Sequence, residues 1–330
     1  MNRAFSALAA VAFSSAVFAA GIEIVPTVEL IRDENGPEGL SGITVDREGR
    51  WWAVDDRSAK LYRAIVDFDK SGSVVRFAVS GGIRLEGRED VEGSASDPLR
   101  ADVIYVSDEK RSTVSAHDVN TGKLLEEIPM PGDFRLHVRL NRSLEALCIS
   151  ADGLRMWTAN EDTLRCDGER ATSKNGGKVR ILAFSRSRAG AAWKFDGWSM
   201  YPTDPAGGEP FKGMLFSGLV SLADLGDGRL LALEREMSRK NPLFPSFRGR
   251  LYVFRPAAGK GGGAVEKKLV WGEDMFLSNY EGMALCPPDS SGMRRLVMVS
   301  DGGGEAVEAV RSFLLKFSRQ NPDKMKGKAK

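Results

Sequence analysis

Histidine occurs only twice and cysteine three times in 330 residues. Cys148, Cys166 and Cys286 show no metal-ligand spacing, and their odd number leaves at least one thiol unpaired. A Cys148–Cys166 bridge, and burial of Cys148 and Cys286 as small hydrophobes, both stay open. No G-x-S-x-G elbow is present, and two histidines leave little material for a Ser-His-Asp triad. Neither sign of charge dominates: 47 Lys+Arg against 45 Asp+Glu give a formal +2, which excludes an electrostatic nucleic-acid binder. A 42% hydrophobic content excludes a disordered tail protein. Beyond the first twenty residues no apolar run approaches the ~20 residues of a spanning helix.

What the chain has in excess is glycine, 36 residues or about 11% against the ~7% average, with 14 prolines and six tryptophans. Such frequent breakers disfavour a helix-rich architecture and suit short strands with many turns. Residues 1–20 stand apart. They carry Arg3, an apolar stretch over 5–18, and Val17 and Ala19 at signal-peptidase spacing. They predict a signal peptide cut after Ala19 or Ala20 and a soluble periplasmic or secreted protein. The folded domain is expected over 21–318, with a basic disordered tail over 319–330.

Five segments are built alike, each an apolar strand, a turn and a second apolar strand: PEGLSGITVDREGRWWAVDD, VEGSASDPLRADVIYVSD, LEALCISADGLRMWTANE, FSGLVSLADLGDGRLLALER and YEGMALCPPDSSGMRRLVMVSD. Four of the turns begin on Asp46, Asp152, Asp227 and Asp289 and end on Gly49, Gly153, Gly228 and Gly292, which is hairpin chemistry. The repeats start at Glu38, Glu92, Glu145, Ser217 and Glu281, in steps of 54, 53, 72 and 64 residues. Those are blade lengths, with room for two further strands after each hairpin. The pattern predicts an all-β fold, a single β-propeller of five four-stranded blades, or six if a long insertion hides one. The fifth unit runs out after SFLLKFS, and its missing outer strand is expected from IEIVPTVELI near the start of the chain. Trp51 and Trp52 point to opposite faces, so at least one should pack between blades.

The repeats open on Glu38, Glu92, Glu145 and Glu281 and close on Asp56, Asp108, Glu161 and Asp301, separated by 18, 16, 16 and 20 residues. An even-armed hairpin returns its end to its beginning, and the first strand of a blade lines the central channel. Eight carboxylates should therefore crowd one mouth, with Ser217, Glu234 and Arg235 of the fourth unit setting one cation among them. Two carboxylates about 6 Å apart repel by about 3 kcal/mol at an effective dielectric of 20. Such a ring needs raised pKa values or a counter-charge, and a hard divalent cation, calcium above all, is the expected partner. The bland alternative is that each Glu accepts strand-end amides and ties blades together. Long basic loops, with Arg84, Arg88, Arg135, His137, Arg139, Arg142, Arg239, Lys240 and Arg248, are expected around the mouth and suit a small anionic ligand.

The phrases GLSGITVDREGRWWAVDDRS, VEGSA, LEALCISADGLRMWTANED, SGLVSLADLGDGRLLALERE, NYEGMAL and LVMVSD together resemble the phytase-like, or esterase-like activity of phytase, family of exported bacterial proteins. The resemblance implies Glu38, Glu92, Glu145, Glu234, Glu281 and Asp301 as acidic site positions and phosphoester hydrolysis as the activity. After Asp301 the sequence departs from the family's pattern. The Arg-His-Gly motif of histidine acid phosphatases is absent, so that mechanism is excluded. The expected assignment has Glu145 and Glu281 catalytic, Glu38, Glu92, Asp56, Asp301 and Glu234 on the metal, and Arg142 and Arg235 on a phosphoester substrate. The alternative is a non-catalytic ligand-binding or scaffold propeller around a structural divalent cation. Carboxylester hydrolysis has least support, for want of a nucleophile motif. A monomer without a membrane span or nucleic-acid partner is expected.

Overall fold

The computed structural model of the chain describes residues 17–19, 21–32, 37–239, 245–257, 261–276, 278–302 and 308–317. Most of the expected signal peptide and the whole of the expected tail lie outside them. The repeated hairpins form because β-branched and aromatic residues alternate between faces and Asp-to-Gly turns reverse the chain, with Gly49, Gly153, Gly228 and Gly292 all at positive φ.

Five antiparallel sheets result. The first blade runs outward through Leu40–Val45, Trp51–Asp55, Lys60–Phe68 and Val74–Arg84, and the second through Val91–Ser96, Val103–Asp108, Thr113–Asp118 and Leu124–Pro129. The third comprises Leu144–Ile149, Arg155–Asn160, Lys178–Ser185 and Lys194–Pro202, with Gly263–Ala264 added in parallel outside it. The fourth comprises Phe216–Asp224, Leu230–Ser238, Ser246–Phe254 and Lys267–Phe276. In the fifth, Asn279–Leu285, Arg294–Asp301 and Ala309–Phe317 are completed by Ile22–Pro26, in the register Ile24 to Leu315. Each inner strand lies against the next and the last returns to the first, so the ring is a five-bladed propeller closed by its own start. Val17–Ala19 pairs outside this closing strand. Among the described residues the one α-helix is Gly132–His137, between the second and third blades.

The core lies between blades rather than inside one. Trp51 packs with Val297, Val299 and Val310 of the fifth blade, whereas Trp52 packs with Ile104 and Val106 of the second, so the pair bridges both interfaces of the first blade. Near the axis the inner strands approach so closely that a Cβ on Gly42 would collide with the Glu92 carbonyl, and one on Gly93 with that of Glu145. Glycine after the mouth residue is thus a packing requirement. The three cysteines are free thiols, Cys148 buried and Cys166 exposed.

Candidate functional site

Every inner strand slips register once, between Leu40 and Gly42, Val91 and Ser94, Leu144 and Ala146, Leu219 and Ser221, and Tyr280 and Gly282. The extra residue of a bulge leaves the ladder and re-aims its side chain. Aligned on these bulges, the blades contribute Ser41, Glu92, Glu145, Val220 and Glu281 to one ring at the channel mouth. The ends of the second strands contribute another: Asp56, Glu109, Glu161, Arg235 and Asp301. Every member of the second ring is ionisable.

One sector, from the first three blades, is purely acidic. Carboxylate oxygens of Asp56, Asp90 and Glu92 lie within 4.8 Å of one another, as do those of Glu92, Glu109 and Glu145. Glu92 and Glu145 are only 8% and 6% exposed, yet no hydrogen bond or ion pair joins either carboxylate to a described residue. Asp56 Oδ1 is likewise buried without a partner. Burial, then the neighbouring Glu145 and Glu109 charges, push Glu92 well above the ordinary carboxylate range. Burial, then Glu161 and Glu109, do the same to Glu145. Burial and Asp301 raise Asp56 to about 7. Burial and Glu161 raise Glu109 to about 7, although it accepts a 2.8 Å bond from the Ser143 amide.

The opposite sector balances two arginines against two glutamates, and of these groups Arg235 Nε alone is buried without a partner. Arg235 donates to both Glu161 and Glu281, binding the third, fourth and fifth blades together. Asn279 Nδ2 donates to Glu281 at 2.9 Å, while Arg235 Nη1 donates to Asn279 Oδ1 at 3.1 Å. Arg142 takes the other oxygen of Glu161. The two guanidinium groups stand 4.3 and 4.8 Å from the Phe216 ring centroid. Burial alone would raise Glu161, but Arg142 and Arg235 hold it below its ordinary value.

The structure brings Asp56, Glu92, Glu145, Glu161, Arg142, Arg235, Glu281 and Asp301 to this mouth, Asp301 within electrostatic reach of Asp56 and Arg57. Three of the sequence-derived carboxylates stand elsewhere. Glu38 precedes the inner strand, its side chain 70% exposed and paired with Arg57, and the ring position belongs to Ser41. Glu234 is buried between the third and fourth blades, where it accepts from Tyr201 at 2.8 Å and the Asp204 amide at 2.9 Å and pairs with Lys267. Asp108 turns away to accept the Arg111 amide at 2.8 Å, leaving the mouth to Glu109, which sequence spacing missed by one residue. Asp90 was missed too, since nothing in the hairpin pattern marks the residue before the strand. The expected basic rim is largely spent locally: Arg88 on Thr113 and Glu127, Arg139 on the Thr163 and Gly168 carbonyls, Arg248 on Asp274. Lys240 lies outside the described residues.

The family described as Phytase-like, esterase-like activity of phytase, matches residues 36–302. No curated protein matches the chain in sequence. Among solved structures it is similar to hydrazine synthase of Kuenenia stuttgartiensis, at 15% identity and TM-score 0.35 over 82% of this chain and 79% of that one. It is also similar to the PQQ-bound aldose sugar dehydrogenase of Streptomyces coelicolor, at 12% identity and TM-score 0.41 over 88% and 100%. Glutaminyl cyclase of Myxococcus xanthus gives 12% identity and TM-score 0.39 over 89% and 96%.

Proposed function

This chain belongs to the phytase-like family, and from that premise we propose that it is an exported, divalent-cation-dependent hydrolase of phosphoesters, with its reaction centre in the acidic sector of the channel mouth. The observation that carries the reading is the pair Glu92 and Glu145, buried, mutually repelling and without a protein partner beside Asp56, Asp90 and Glu109. Buried charges without a partner are costly, and an all-oxygen donor set suits a hard cation such as calcium. Glu92, Glu109 and Glu145, with Asp56 and Asp90, would hold it. A cation bound there supplies Lewis-acid polarisation and charge neutralisation for a phosphoryl group.

The chain's own groups divide the remaining work. Asp56 and Glu109, each near 7 in the ion-free protein, would give up their protons as the cation binds, so binding of the ion should release protons. Glu281 is held by Arg235 and Asn279, so Arg235 positions carboxylates, while the less buried Arg142 keeps a face for an anionic oxygen of substrate. Export rests on the signal-peptide character of residues 1–20.

The test is hydrolysis of p-nitrophenyl phosphate and bis(p-nitrophenyl) phosphate by chelator-stripped protein titrated with calcium. Turnover should appear with the ion, and Glu92→Gln and Glu145→Gln should each lower kcat/KM by about 100-fold or more. Turnover indifferent to chelation and to both substitutions would overturn the reading. A calcium-dependent rise in melting temperature with neither ester turned over would replace it with the non-catalytic propeller built on a structural ion.

A further inference from the structure

The hairpin turns of all five blades converge at the end of the axis opposite the carboxylates, and there the channel widens into a cavity of about 650 Å³. That volume falls within the ~300–1,000 Å³ typical of small-molecule sites. Its wall is apolar and drawn from every inner strand, with Ile43, Ala95, Leu147, Leu222 and Met283 among the contributors, and Phe317 at its edge. An axial funnel lined this way has no evident structural need to stay open, since larger side chains at Ala95, Ala223 and Ala284 would fill it.

Five charged residues line the cavity: Asp46, Arg47, Asp224, Asp227 and Arg294. Asp46 is paired with Arg50, and Asp227 with Arg229. Asp224 accepts the Gly226 amide at 3.1 Å and the Ala151 amide at 3.3 Å, and Arg47 donates to the Ala151 carbonyl at 3.0 Å. Arg294, at the wall, is held by carbonyl oxygens alone: Cys286 at 2.7 Å from Nε, and Leu225 at 3.2 Å and Asp224 at 3.4 Å from Nη1. No carboxylate ion-pairs with it, and its Nη2 has no hydrogen-bond partner among the described residues. Arg294 thus keeps one guanidinium nitrogen, Nη2, for a ligand beside an apolar funnel.

We propose that this funnel is a second binding site, separate from the carboxylate mouth, for an amphipathic monocarboxylic acid whose hydrocarbon body occupies the cavity and whose carboxylate sits on Arg294. One guanidinium edge matches one carboxylate, and Asp224 and Asp227, which stand within electrostatic reach of Arg294, disfavour a dianionic phosphate. The chain's own sequence beyond Phe317, SRQNPDKMKGKAK, is polar and basic. It would bring like charge to Arg294 and little apolar surface, so it does not fit the funnel.

The test is calorimetric titration of the full mature chain with dodecanoate, dodecanol and dodecyl phosphate below their aggregation limits. Dodecanoate should bind about tenfold or more tightly than either of the others. Arg294→Met should remove that preference while leaving dodecanol affinity unchanged, and Leu285→Trp, with an unchanged circular dichroism spectrum, should weaken all three by narrowing the funnel. Absence of dodecanoate binding to the wild-type chain overturns the site. Equal affinity for dodecanol, or a preference for dodecyl phosphate, overturns the assignment of a monocarboxylate on Arg294. Ester hydrolysis at the opposite mouth is measured separately, so loss of one result leaves the other standing.

Discussion

At the scale of single residues the mouth is a set of carboxylates held at unequal charge. Asp56 and Glu109 rise from ordinary values of 3.8 and 4.5 to about 7 in the folded protein. A folded state that holds protons more tightly than the unfolded chain is stabilised fully below about pH 4, and loses that stabilisation as pH climbs through 7. Chelator-treated protein should therefore lose about 2 kcal/mol or more between about pH 5 and pH 8, read as a fall of several degrees in melting temperature. Glu109→Gln, whose amide oxygen can keep the Ser143 bond, should flatten that fall, and an equally steep curve in the variant would contradict the assignment. Arg235 gives the converse case. Arg235→Met leaves Glu161 to Arg142 and Glu281 to the neutral Asn279 and should cost about 3–5 kcal/mol in urea unfolding, most of it recovered when both glutamates become glutamine. A cost that persists in the triple variant would place Arg235's contribution in packing on Phe216. Much of this site was legible in the sequence, because period-two strands bring repeat ends together whatever their exact length. Glu38 was misread for Ser41, three residues on, because Pro37-Glu38-Gly39 imitates Val91-Glu92-Gly93 of the second repeat, and Asp108 for Glu109 because a bulge inserts one residue that alternation does not reveal. Glu234 fell with them, since its neighbour Arg235 holds the ring position and strand alternation sends Glu234 to the other face.

At the scale of elements, the hairpins were readable from their Asp-to-Gly turns and β-branched runs, whereas their spacing about the axis was not. The decisive contacts there are backbone on backbone, which side-chain patterns do not encode. Gly42 and Gly93 allow each inner strand to touch the next. Gly93→Ala should force the second and third blades apart at the mouth, costing about 1–3 kcal/mol and weakening calcium binding through displacement of Glu92 and Glu145. Gly132→Ala is the control: a Cβ there meets nothing within 4 Å, at the first residue of a helix, and should be neutral or slightly stabilising. If both substitutions leave chemical denaturation and calcium titration unchanged, the close approach of the inner strands is not what fixes the mouth.

At the scale of the molecule, a ring of blades is closed only while the two ends of the chain share one blade, and here the join is five residues long. Ile22–Pro26 pairs with Ala309–Phe317, and Ile22 and Ile24 are fully buried against a cluster containing Trp271, Phe313 and Leu315. The Thr27 side chain adds a 2.8 Å bond to the Ser312 carbonyl. Two buried isoleucines contribute about 3–6 kcal/mol together, before the strand's hydrogen bonds are counted, against a total domain stability of about 5–15 kcal/mol. The closure was foreseeable from a fifth unit one strand short and an unclaimed apolar segment ahead of the first repeat. Val17–Ala19 also pairs with Ile22–Ile24, although a cut after Ala19 or Ala20 would remove it. The two facts make a single experiment decisive. A chain beginning at residue 21 should melt within a few degrees of one beginning at residue 17, because the outer strand caps the join without forming it. A chain beginning at residue 28 should lose at least about 5 kcal/mol and its cooperative transition, since the fifth blade then exposes both its edge and the apolar face beneath Ile22 and Ile24. Cooperative melting of that shorter chain at an unchanged temperature would mean that the blades hold their ring by interblade packing alone.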